Sequence, residues 1–223
     1  PSQLDKLEGV TPEAMARLLT GIKPVLETPG LRPGVSMRIE VPNADPDTPV
    51  AYHVLLPLEY SPNRAYPMVV ALHPVERGPE AELSWWGGTE EQPGQSHRHG
   101  YIVIAPEYID KKLTSYDSDA KSHYITLKAI RDARQRFHVN SDKVFLSGHG
   151  MGGDAAFDVG MSHPDVFAGV IPISALAQHY CKWYWQNAKN VPWYLVSGEL
   201  CRNSLTHPDH SAVLGRMLRY GHE

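Results

Sequence analysis

The chain has 223 residues, 42% of them hydrophobic, enough for one domain with a substantial core and short for two. Its formal net charge is −4 and its basic residues are scattered, which argues against a nucleic-acid partner. Two cysteines, Cys181 and Cys201, are too few for a disulfide framework and leave the redox compartment open.

The opening stretch, PSQLDKLEGVTPEAMARLL, is polar and amphipathic, with no apolar run of signal-peptide or membrane length. The expectation is a soluble protein without a membrane partner, either cytoplasmic or exported after removal of a signal. Within it, TPEAMARLLTGI predicts a helix: Thr11 can cap it, Pro12 suits its first turn and Gly21 stops it. Ala14, Met15, Leu18, Leu19 and Ile22 fall at helical spacing, so this helix is expected to pack on something. A Pro/Gly-rich connector, KPVLETPGLRPG, follows. Residues 1–34 therefore read as a helical extension ahead of one domain over residues 35–223.

VSMRIEVP alternates around Met37, Ile39 and Val41, and VAYHVLLPLEY repeats the pattern after the turn NADPDTP; the two make an expected antiparallel pair. YPMVVALHP, YIVIAPEY, KVFLSGHG, GVIPISA and VPWYLVSGE are nearly continuous apolar runs, the mark of parallel strands covered on both faces. Helical segments lie between them, the longest within residues 117–139, the next in GDAAFDVGMSHPDVF, and the last in HSAVLGRMLRYG with Gly221 as its stop. This order predicts an α/β protein with an open, mostly parallel sheet and helices on both faces. Ligands bind such sheets at the carboxyl ends of the strands, where His73, Gly150 and Glu199 fall.

The stretch VFLSGHGMGGDAAF reads as a buried strand, a tight glycine turn and the start of a helix, the setting of a G-x-S-x-G nucleophile elbow. A phosphate-cradling loop is the other reading of the turn. A dinucleotide fold would place that loop after its first strand, and here four or more strands precede it. MVVALHP, YIVIAPEY, RFHVNSDKVFLSGHGMGG and SHPDVFAGVIPISA follow one another as the strands around the elbow do in α/β-hydrolases. The chain thus resembles the α/β-hydrolase superfamily, and within it the carboxylesterase, dienelactone-hydrolase and predicted-peptidase groups, from about residue 35 onward.

The resemblance implies an acyl-enzyme mechanism on carboxylic esters or small peptides, without a cofactor. It places the nucleophile at Gly150, which has no side chain. Ser147, three residues earlier, lies at the end of the strand and off the tip. The acid position falls on Cys201 in SGELC, with Glu199 as a substitute carboxylate and Asp209 further along. The histidine should follow an eighth strand that is not recognisable. Either the last strand and helix are lacking from this chain, or His222 in the closing GHE echoes the histidine loop. The oxyanion donors fall on the backbone N–H groups of Met151 and of Val75 or Glu76, because Pro74 has none to give. His73, His149, Trp85, Trp86, Trp183 and Trp185 are candidates for the substrate pocket, with plain packing as the other reading of the tryptophans. The short histidine clusters at His97 and His99, and at His207 and His210, match no metal-ligand spacing.

The implied ligand is a small ester or peptide-like molecule, and a homo-oligomer is left open. Two readings stand: a serine esterase or peptidase scaffold that is inactive as written, and a pseudo-hydrolase that binds a ligand or a protein partner without chemistry.

Overall fold

The structure is a computed structural model and describes residues 11–20, 22–42, 44–75, 77–89, 91–110, 113–198 and 208–219. Six strands form one sheet: β1 (Met37–Glu40), β2 (Ala51–Leu55), β3 (Tyr66–Leu72), β4 (Ile102–Pro106), β5 (Val139–His149) and β6 (Gly169–Ile173). They lie in the order β1-β2-β4-β3-β5-β6. β1 and β2 are antiparallel, β2 is antiparallel to β4, and β4, β3, β5 and β6 run parallel. The expected α/β class and the expected hairpin are both present.

Alternation along the strands sends side chains to two different cores. Met68, Val70 and Leu72 of β3 and Val144 and Leu146 of β5 meet α4 (Ala120–Arg136) and α5 (Met151–Ser162) on one face. Val69 and Ala71, with Val103 and Ala105 of β4, meet Leu83 and Trp86 of α2 (Pro79–Gly87) on the other. This two-sided burial is why those runs lack polar residues.

Several expectations need correcting. β2 alternates in sequence like β1, yet all five of its residues are buried, because the strand lies inside the sheet between β1 and β4. The first helix, α1 (Pro12–Thr20), forms with its cap, Ala14 N–H donating to Thr11 Oγ1 at 3.1 Å. Its apolar stripe does not pack: Leu18 is 66% and Leu19 61% exposed. The chain rejoins the body further on, where Leu26 N–H donates to the Gln135 carbonyl at 2.9 Å. VPWYLVSGE lines β6 only through bridges at Trp193 and Val196, and Tyr194 remains 70% exposed, so one face of this edge is uncovered among the described residues.

Two short helices add to those expected from the sequence. Pro79 occupies the first turn of α2 and Gly88 stops it, while α3 (Gln95–His99) ends at Gly100 in the left-handed region with φ 69°. After β6 come α6 (Cys181–Tyr184), a 3₁₀ turn (Trp185–Ala188) and α7 (Pro208–Arg219). Val213 and Met217 of α7 pack with Trp185 on Phe157 and Met161 of α5. No described helix is long and apolar enough to cross a membrane.

Candidate active site

A tight turn joins β5 to α5. Gly150 stands at its tip with φ 53° and ψ −118°, a region that side chains rarely enter. Its amide donates to the Ile173 carbonyl of β6 at 2.9 Å, and its own carbonyl accepts from Gly153 and Asp154 N–H. The glycines on either side are required sterically. A Cβ on Gly148 would strike the Gly152 backbone, one on Gly152 the Leu72 carbonyl, and one on Gly153 the Ala175 methyl. The turn is tight because helix and strands approach to backbone contact there. At Gly150 itself a Cβ would meet only the Pro74 Cβ, at 3.9 Å.

Around this tip the structure brings together several residues singled out from sequence. His73 follows β3 and is buried. Its Nδ1 donates to the Pro74 carbonyl at 3.0 Å, and its own carbonyl accepts from Tyr108 Oη at 2.8 Å. His149 precedes the tip, and its Nδ1 lies 3.0 and 3.1 Å from the two carboxylate oxygens of Glu82. Trp85 packs edge-on against the His149 ring at 4.5 Å between centroids and is 51% exposed. Met151 opens α5 at the tip and Val75 lies in the loop after β3; the N–H groups of both donate to no described residue.

The remaining candidates stand apart. Trp86 is buried in the core beneath α2, and Trp185 in the core between α5 and α7. Trp183 is 75% exposed. Cys201, Glu199, His222, Glu76 and His207 lie outside the described residues, as does the side chain of Asp209. Ser147 is fully buried, its Oγ donating to the Ile171 carbonyl at 3.1 Å, as its place within the strand led one to expect.

Sequence reasoning missed two carboxylates. Glu82 comes from α2, sixty-seven positions before its histidine, with nothing local to announce the pairing. Asp154 sits on the first turn of α5 and ties the elbow helix to the loop after β6. It accepts from Leu176 N–H at 2.6 Å and from Gln178 Nε2 at 3.3 Å. Burial outweighs these two bonds and pushes its carboxyl up to about 7. The single described cysteine, Cys181, is buried, and burial pushes its thiol up as well, away from thiolate chemistry.

A cavity of about 880 Å³ lies elsewhere, between α1 and the amino end of β5, bordered by Leu19, Ile130, Arg134 and Val139. It is at the wrong end of the parallel strands to serve the elbow.

Neither a protein-family model nor a curated protein sequence matches the chain. Solved structures do. A thermostable esterase is 22% identical with a TM-score of 0.59 over 83% of this chain and 51% of its own, so the chain spans about half of that enzyme's length. A ferulic acid esterase is 16% identical with a TM-score of 0.61, over 85% of this chain and 87% of its own. A fluorophosphonate-binding serine hydrolase of Staphylococcus aureus, solved with substrate bound, is 21% identical with a TM-score of 0.52, over 84% and 75%. At these identities the likeness is one of architecture, and it agrees with the strand order, the antiparallel second strand and the elbow after β5: this chain has the α/β-hydrolase fold.

Proposed function

We propose that the chain binds a carbonyl compound, a carboxylic ester or small peptide, at the β5–α5 elbow and takes no acyl group onto itself there. Gly150 carries this reading. The turn keeps the strained form of a nucleophile elbow, and its tip has no atom with which to attack. The Ser147 hydroxyl does not replace it, because it is bonded inside the sheet, and the one described thiol, Cys181, is buried with a raised pKa.

Binding has support that does not depend on a nucleophile. The N–H groups of Met151 and Val75 are available to a carbonyl oxygen at the positive end of α5. The rings of Trp85 and His149 offer a flat flank to an aryl group. Because one structural neighbour is a ferulic acid esterase, methyl ferulate is a suitable probe.

The test has two arms. Mass spectrometry after incubation with an alkyl fluorophosphonate should show no adduct, and an adduct would overturn the reading. Calorimetric titration with methyl ferulate should show binding, weakened about tenfold in Met151→Pro, which removes one N–H donor at a helix position that tolerates proline. Absence of binding by the unaltered chain would equally overturn it.

A further inference from the structure

Glu82 is an unusual residue to find beneath an elbow. Its side chain is 5% exposed, and both its oxygens face one nitrogen, His149 Nδ1. A carboxylate only accepts, so Nδ1 carries a proton, and in the tautomer this bond selects the lone pair lies on Nε2. That nitrogen has no hydrogen bond among the described residues, is not sealed from solvent, and belongs to a ring that is 24% exposed. Trp85 packs edge-on against the ring at 4.5 Å between centroids. An imidazole oriented by a buried carboxylate, with a free basic nitrogen beside an open turn, is the arrangement that general-base catalysis requires. Among the described residues Glu82 is the titratable side chain in hydrogen-bond contact with it.

Resting on the reading of the elbow as a carbonyl site, we propose that His149, held by Glu82, is a general base that activates water in the side-chain-free space over Gly150 for direct attack on a bound ester. Water gives a proton to Nε2 while its oxygen bonds to the acyl carbon. The carbonyl oxygen becomes an oxyanion, met by the Met151 and Val75 N–H groups. As the carbonyl re-forms, the bond to the alcohol oxygen breaks and the imidazolium returns the proton to the leaving alkoxide. Ester and water become acid and alcohol, with no covalent enzyme species and no other reactant. The empty tip is then part of the design, because a serine side chain would take the space that the water needs. In this scheme His149 is the catalytic residue and Glu82 a positioning residue.

The experiment is steady-state hydrolysis of methyl ferulate between about pH 5 and pH 8, in water and in deuterium oxide. The expected result is slow turnover without a burst, rising from acid to neutral pH and slower in deuterium oxide. At neutral pH His149→Gln should lower the rate about a hundredfold, the scale of a lost general base. Glu82→Gln should lower it and move the pH profile, Glu82→Asp should recover part of it, and His163→Gln should leave it unchanged. Thermal melts establish that each variant is folded; if His149→Gln is not, the Glu82 pair and the isotope effect decide. Folded His149 and Glu82 variants with the parent's rate, or no solvent isotope effect, would overturn the proposal and leave the pair as a staple between α2 and the elbow. Binding of methyl ferulate without turnover defeats this inference alone, whereas a stoichiometric burst or absent binding defeats the reading beneath it.

Discussion

Two of the imidazole–carboxylate pairs among the described residues lie on opposite faces of the sheet and are finished differently. On the α2 face, Glu82 holds His149 by one nitrogen and leaves the other unbonded. On the opposite face, Asp158 of α5 accepts from His123 Nε2 at 3.0 Å and from Tyr116 Oη at 2.8 Å. His123 Nδ1 then meets His163 Nε2 at 3.2 Å, so both nitrogens of His123 are engaged. The same two side-chain types make a closed clasp between α4 and α5 in one case and an open-ended pair in the other. What separates structure from poised chemistry is the state of the second nitrogen.

That contrast can be broken in order of size. Asp158→Ala strands one buried donor, Tyr116, and one half-buried donor, His123, and should destabilise the protein by about 3 kcal/mol in urea unfolding. A loss well under 1 kcal/mol would mean that the clasp carries no weight. Asp154→Asn tests a half-buried carboxylate that has no imidazole at all. Its folded pKa of about 7 exceeds the unfolded value near 3.9, so its contribution is present at low pH and is lost as pH rises from about 4 to about 7. The amide variant should flatten that stretch of the stability profile and gain about 2 kcal/mol above neutrality. Tyr116→Phe removes one donor from Asp158 and should cost about 1 to 2 kcal/mol.

His163 sharpens the comparison through pH. Burial first, and His123 second, hold its pKa below the ordinary imidazole value. The unfolded chain therefore takes up the proton before the folded one does. Its stability contribution is present above about pH 6.5 and is lost as pH falls through and below that value. His163→Gln should remove this part of the acid slope in melting temperatures measured from pH 5.5 to 7.5. Smallest of all, Glu82→Gln should change unfolding free energy by about 1 kcal/mol or less, because the pair is partly solvated. A large loss there would make the open pair a structural clasp after all.

The architecture was readable in the sequence because double-sided burial writes itself as unbroken apolar runs, as in β3 to β6 and the elbow glycines. The full burial of β2 was not legible, because an alternating pattern cannot report its neighbours in the sheet. α1 misled in the other direction: helical spacing announces an apolar stripe and says nothing of a surface to receive it. The candidate site was legible only where chemistry and turn geometry coincide, in the residues that gather at the tip: His73, His149, Gly150 and Met151. Glu82 was hidden because its pairing depends on packing across the sheet. One local signal was available, since Pro79 followed by acidic residues and a double glycine stop marks a short helix. Recognising α2 would have pointed one face of PEAELSWW toward the elbow.

The elbow also foretells how this gene can drift. Positions 148, 152 and 153 are blocked by neighbouring backbone or methyl atoms, so replacement there is met by collision. Position 150 has open room and is limited only by its handedness, which a side chain can enter at about 1 to 3 kcal/mol. In a saturation scan the one glycine with a chemical vacancy should be the most permissive of the four. A single codon change there would place a hydroxyl at the tip without displacing a neighbour.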